Sequence, residues 1–312
     1  EKKFIAMLVC VALMGCIFVS AQDICKTVAN VPMVQLNNGV LMPQFGLGTF
    51  MQSSGSIEQS CLTALKMVID ISILLMHNDE AGVGRAVKES GISREKIWIT
   101  SKLWPTEYGE SKTLEAIEDI GTHAIGFVHQ PAGDFVGAWR DMGKVRALGI
   151  SNFDANDEAF EKIMIESRVK PAVLQIECHS YAQRLAIRDK VKPYGIHITC
   201  WFLLGGAMSN GALFSLHPIN SQGTCKSPVQ IILRWHIQGD FSVIPGASNL
   251  DYIKENIAIF DFELNNKKME QMCSLNKEKR FFNATQEEVE KMVWNTEIRT
   301  EWIEDIGRRS GL

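Results

Sequence analysis

Eight short, mostly apolar runs recur along this chain, and the segments between several of them carry apolar residues at helical spacing. The strand-like runs cover residues 45–50, 68–75, 97–100, 124–129, 146–152, 173–178, 197–202 and 243–245. Helical patterns are clearest over 57–67, 80–90, 154–166, 183–191 and 228–238. Strands that alternate with helices pair in parallel through right-handed crossovers. Eight such strands in a chain of 312 residues fit a closed (β/α)8 TIM barrel, an α/β fold in which both strand faces are covered. An N-terminal β-hairpin precedes it, two short apolar stretches around Asn38-Gly39 within 34–42. Extra C-terminal helices follow Lys267, one opened by the capping box Thr285-Gln-Glu-Glu288.

The first residues do not belong to that pattern. Lys2 and Lys3 precede an apolar run over 4–19, which ends in Val19-Ser20-Ala21. Basic, then apolar, then small residues describe a secretory signal cut after Ala21. The run falls short of the ~20 residues that span a bilayer. The expectation is a secreted protein with a signal at 1–21, a single barrel domain at 22–312 and no membrane attachment after cleavage. Asn283-Ala-Thr285 is a glycosylation sequon compatible with that route. A net charge of −4 without a basic run argues against nucleic-acid binding. Outside the signal, which holds Cys10 and Cys16, the cysteines are Cys25, Cys61, Cys178, Cys200, Cys225 and Cys273. Secretion permits disulfides, but no metal-ligand spacing appears and no metal is expected. Cys178 and Cys200 alternate with apolar residues and read as small core side chains.

The stretch Gly143-Lys-Val-Arg-Ala-Leu-Gly-Ile-Ser-Asn-Phe153 presents Ser151 and Asn152 at the end of a buried strand, where α/β barrels hold ligands. It resembles the corresponding segment of the aldo-keto reductases. So do Met42-Pro-Gln-Phe-Gly-Leu-Gly-Thr49, Ile99-Thr-Ser-Lys-Leu-Trp104, Leu174-Gln-Ile-Glu-Cys-His179, Ile232-Leu-Arg-Trp-His236 with Val243-Ile-Pro245, and Glu255-Asn256. The resemblance runs from about Val34 to Arg280, and it extends in looser terms to secreted insect members that reduce ecdysteroid ketones. It implies hydride transfer from NADPH to the carbonyl of a hydrophobic aldehyde or ketone by a monomer. By the same resemblance Thr49, Ser151, Asn152, Gln175, Trp201, Leu204, Glu255 and Asn256 bind the cofactor. Phe50, Trp104 and His129 line the substrate mouth. Lys102 and His129 match the catalytic Lys and His of the family.

Three departures bear on the chemistry. Where the family carries a proton-donating Tyr, this chain offers Leu75, Met76 or His77, and no alignment places a tyrosine there. Either His77 is the substitute donor, since imidazole titrates near neutrality, or the proton relay is lost. The acid that pairs with the Lys falls on Asp70, or on Ser72 if the alignment is anchored farther along. Between His129 and Ser151 only a short helix around Trp139 fits. At the phosphate-reading positions Gly246 and Tyr252 replace the Lys and Arg that would favour the 2′-phosphate, so NADH stands beside NADPH as a cofactor. Two readings follow: an oxidoreductase of the family's type, or a catalytically impaired barrel that binds a small ligand.

Overall fold

The computed structural model describes residues 30–49, 52, 54–67, 72–74, 80–109, 113, 124–141, 145–205 and 226–295. The signal at 1–21, Phe50, Asp70 and His77 lie outside them. The hairpin forms as expected: β1 (Met33–Gln35) pairs antiparallel with β2 (Leu41–Pro43), Val34 opposite Met42. Gly39 takes φ +84° at the turn, the left-handed region where glycine carries no penalty.

Among the described residues eight parallel strands follow: β3 (Gly46–Gly48), β4 (Ser72–Leu74), β5 (Trp98–Leu103), β6 (Ala124–Val128), β7 (Ala147–Ser151), β8 (Val173–Glu177), β9 (His197–Trp201) and β10 (Ser242–Val243). They lie side by side in chain order. The sheet closes on itself, with parallel bridges Phe45–Val243 and Gly48–Gly246. Across this seam Gly48 N donates to Pro245 O at 3.0 Å and Val243 N to Gln44 O at 2.9 Å. A Cβ on Gly48 would sit 2.7 Å from Ile244 O, so closure at this point requires glycine.

Several strand limits differ from expectation. β5 runs on to Leu103, which puts Lys102 inside the strand rather than after it. β3 and β10 are shorter than the apolar runs, because the seam is made by single bridges rather than a continuous ladder.

Period-two alternation sorts the wall into two layers. Thr100, Ile125, Phe127, Gln175 and Thr199 border the barrel interior. The alternate residues Ile99, Leu148, Ile150, Leu174, Ile176 and Ile198 join the main apolar cluster facing the helices. The hairpin plugs the N-terminal end: Leu36 and Met42 pack on Trp98, Ile125, Phe127, Ala147 and Val173. Asn37 Nδ2 donates to Pro171 O at 2.8 Å and ties the turn to that rim.

The helices are α1 (Ser54–Met67), α2 (Glu80–Ser90), α3 (Phe135–Asp141), α4 (Asp157–Glu166), α5 (Leu185–Val191), α6 (Pro228–Gln238), α7 (Leu250–Ile257), α8 (Asn266–Cys273) and α9 (Gln286–Trp294). α4 and α5 start later than their apolar patterns. Residues 153–155 form a 3-10 turn, and Asn156 is the N-cap of α4, accepting from Ala159 N. Arg184 adopts φ 58°, which stops helix extension ahead of α5. The short α3 is pinned by Trp139, buried, whose Nε1 donates to Val169 O at 2.8 Å. The expected capping box of Thr285 with Glu288 opens α9, and Ser227 forms another with Gln230 on α6. Among the described residues no helix is long and apolar enough to cross a membrane.

One buried histidine gives the barrel a pH-dependent stability. His197, at the start of β9, places Nε2 2.9 Å from Ser242 Oγ. Burial lowers its pKa from 6.5 to about 4. The folded state therefore holds the neutral ring, while the unfolded chain takes up a proton below 6.5. The resulting stability is complete above pH 6.5 and declines as pH falls towards 4, by about 3 kcal/mol. Urea unfolding of His197→Gln should lose much of this slope between pH 6.5 and 4. An unaltered slope would remove His197 as its source.

Candidate active site

Polar side chains gather at the C-terminal end of the strands. Lys102, at the penultimate position of β5, lies opposite Phe127 of β6. It shares the inward parity of Thr100 and is only 7% exposed. Burial brings its ammonium down from 10.5 to about 7. A lysine so desolvated keeps a near-equal balance of charged and neutral forms at neutral pH.

His129 follows β6 directly and is buried. Its backbone N donates to Leu103 O at 3.2 Å, extending the strand pairing by one step. The ring lies 4.9 Å from that of Trp104, tilted by 59°. Trp104 is held by its own backbone N–H, which donates to Glu107 Oε2 at 3.0 Å. Lys102, Trp104 and His129 thus occupy adjacent strand ends, as the sequence led us to expect. Tyr108 closes the far side of this corner. Its hydroxyl donates to Gln130 O at 3.1 Å, and burial raises its pKa far above the usual phenol range. The hydroxyl also accepts from Gln130 N at 3.4 Å, so the ring serves as packing with its hydroxyl fixed by Gln130.

The next three strands supply an amide-lined wall. Ser151, on β7, stands opposite Gln175 of β8, and Gln175 stands opposite Thr199 of β9. Asn152 turns into the left-handed region, φ 64° and ψ 25°, which asparagine tolerates. That turn lets its backbone N donate to Gln175 O at 3.0 Å. Its side-chain Oδ1 accepts from Trp201 Nε1 at 3.2 Å. Among the described residues, Ser151 Oγ and Gln175 Oε1 are buried with no hydrogen-bond partner. Buried polar atoms left unmatched cost stability, and these two lie on paired strands near the mouth, where a ligand's polar groups could match them.

The remaining cofactor-binding candidates sit round the same rim or behind it. Thr49 is buried just beyond β3, and Leu204 is half-buried beyond β9. Asn256 is buried on α7 and borders, with Pro245, Ile253 and Ile257, a gap between that helix and β3. Glu255 is half-buried beside it. Gly246 lies on the seam, paired with Gly48. Tyr252 points outward, 60% exposed.

A second set of residues escaped the sequence reading, which quoted Glu177 only inside a motif. Glu177 ends β8, is fully buried, and accepts from Phe281 N at 2.6 Å, Phe282 N at 3.2 Å and Arg280 Nε at 3.3 Å. Its Oε1 also lies 3.2 Å from His179 Nε2. Burial alone would raise its pKa; the hydrogen bonds from His179 and Phe281, with the Arg280 charge, outweigh it and hold the carboxyl below its ordinary value. Arg280 reaches also to Asp154 at 3.7 Å, which pairs closely with Arg184. This network straps residues 280–282 across the mouth. Phe282 meets Trp201 edge-on, ring centroids 4.8 Å apart.

Comparison with known proteins gives the arrangement its context. Residues 130–277 match the Aldo/keto reductase family. Glyoxal reductase of Bacillus subtilis is 34% identical over 264 residues, covering 79% of this chain and 94% of that protein. An aldo-keto reductase enzyme from a Medee basin deep-sea metagenome library is 30% identical, with TM-score 0.75 over 81% of this chain and 98% of its own. The structure of a Gox0644 mutant in complex with NADPH is 27% identical, with TM-score 0.73 over 81% and 97%. With the closed barrel, the plugged base and the polar strand ends in place, this chain belongs to the aldo/keto reductase family and is an oxidoreductase that uses a nicotinamide cofactor to reduce carbonyl groups.

Proposed function

We propose that the polar strand ends bind NADPH beside a hydrophobic aldehyde or ketone, and that Lys102 and His129 attend the carbonyl. The observation that carries this reading is the pair Ser151 Oγ and Gln175 Oε1, buried and unmatched on adjacent strands. A hydroxyl and an amide oxygen suit a carboxamide, which offers both a donor and an acceptor. Trp201, oriented by Asn152, offers a ring face to an aromatic base. The nicotinamide supplies the hydride when bound. His129 and Trp104 form the side of the pocket that receives the carbonyl, with Phe50 assigned to the same mouth from sequence. Lys102 holds a proton near neutrality, matched to the task of protonating a developing alkoxide. Asp70 is assigned as its partner and His77 as a second donor, both on sequence grounds.

Thr49, Leu204, Glu255 and Asn256 take the remainder of the cofactor. Gly246 and Tyr252 bring no cation to a 2′-phosphate, which lowers the preference for NADPH over NADH. The signal-like N-terminus and the exposed Asn283 support a secreted, glycosylated protein, which we assign as a monomer. A ligand-binding barrel without turnover remains the second reading, carried by the absence of a tyrosine in the 68–80 segment.

Fluorescence titration of Trp201 with NADPH and NADH tests the cofactor assignment. Gln175→Ala should weaken binding roughly 5- to 10-fold, the effect of one hydrogen bond worth about 1–1.5 kcal/mol. Folded protein that binds neither nucleotide would overturn the assignment. Binding of both without hydride transfer to any aldehyde or ketone in a broad panel would favour the second reading.

A further inference from the structure

The outer face of the barrel wall carries a cluster that the catalytic mouth does not use. Cys178 follows β8, Cys200 lies on β9, and His236 lies on α6. All three are completely buried. Each offers one ligand atom, and those atoms lie within 4.8 Å of one another. Cys178 and Cys200 belong to the apolar layer between wall and helices, away from the inward-facing Lys102, Ser151 and Gln175. No spacing in the sequence reveals the group, because its members come from three separate elements.

We propose that Cys178, Cys200 and His236 form a structural site for a divalent, thiolate-preferring cation of the zinc class, which clips α6 to the barrel wall.

The surroundings of His236 support this. Its Nδ1 lies 2.8 Å from Ile232 O, one turn back on its own helix. That carbonyl fixes the tautomer with the proton on Nδ1, as second-shell carbonyls do for metal-bound histidines. Nε2 then carries a lone pair, yet it faces Cys178 O at 3.3 Å. Two acceptors opposed in a buried space repel, and a cation between them and the two sulfurs removes the conflict. The carbonyl oxygen becomes a fourth donor beside two sulfurs and one nitrogen. Two thiolates balance a double positive charge, which leaves the apolar layer neutral. A disulfide is the poorer use of the pair. Cys200 is in register with Ile176, two residues before Cys178. Such a diagonal separates the Cα atoms by ~8 Å, beyond the ~7 Å that a disulfide spans.

Cobalt(II) is the probe. Reduced, metal-stripped full-length protein receives one equivalent of Co2+, and thiolate-to-cobalt charge-transfer absorption is recorded. The expected result is saturation at one ion per chain, with Zn2+ displacing the signal and raising Tm. Cys200→Ala and His236→Asn should each weaken binding by more than tenfold. Folded wild-type protein without charge-transfer absorption would overturn the proposal by itself, whatever the variants do. So would an unchanged spectrum in Cys200→Ala, which would place the ion on other cysteines. Nicotinamide binding enters neither readout, so the result stands apart from the assignment of the mouth.

Discussion

Replacing Lys102 by methionine should abolish most turnover while making the protein harder to unfold. Removal of a positioned proton-transfer group costs on the order of 10²- to 10⁴-fold in kcat. The stability effect has the opposite sign. Folding lowers the lysine pKa from 10.5 to about 7, so below pH 7 the folded protein bears the full cost of a buried ammonium. By linkage that cost approaches about 5 kcal/mol below pH 7 and vanishes above pH 10.5. Methionine fills similar space without the charge. Its advantage in urea unfolding should therefore be largest at pH 7 and below and disappear towards pH 10.5. In the wild type, kcat should fall as pH rises through about 7, where Lys102 gives up its proton. Lys102→Met protein of undiminished kcat would contradict the role assigned here, and lower stability at pH 6 would show instead that a carboxylate such as Asp70 pairs with the ammonium. Hydride transfer that depends on Lys102 would in turn exclude the reading of a barrel that only binds.

Removing Glu177 should unfasten the C-terminal strap. Glu177→Ala leaves Arg280, His179 and the N–H groups of Phe281 and Phe282 without their shared acceptor. Loss of one partner from a buried ionic network costs about 3–5 kcal/mol. Phe282 would no longer be held against Trp201, and the tryptophan emission should shift to the red. Because the folded pKa of Glu177 is depressed, its contribution is present above 4.5 and is lost as pH falls below that value. That acid limb should be missing in Glu177→Gln, which keeps the side-chain volume but cannot titrate. A variant with wild-type stability and an unmoved emission maximum would show that the strap is anchored elsewhere.

These residues also mark where sequence reading succeeds and fails. Lys102, Ser151 and Asn152 were legible because each sits at the end of a strand whose apolar alternation and local motif are contiguous. The barrel was legible for the same reason, since strand and helix patterns are local. Glu177 was not, because its partner Arg280 is 103 residues away and nothing local announces the pairing. The length of β5 was underestimated because Ser101 and Lys102 interrupt the apolar run, yet both are buried. Inside the barrel mouth polar residues continue the ladder, so a hydrophobicity pattern ends before the strand does. The grouping of Cys178, Cys200 and His236 likewise required the third dimension.

The seam at Gly48 and Gly246 carries a consequence for how this protein would be lost from solution. A cylinder has no border, and its backbone donors and acceptors are all engaged around the ring. Here the ring is fastened by two bridges and a two-residue strand, the thinnest stitching among the described residues. Parting at that line turns the cylinder into an open sheet with two bare margins, each a template for a neighbouring molecule. Clumping on mild heating should therefore begin with unzipping at β3 and β10, well before the hydrophobic layers come apart. The amides of Gly48 and Val243 should then be among the first strand amides to exchange with solvent deuterium.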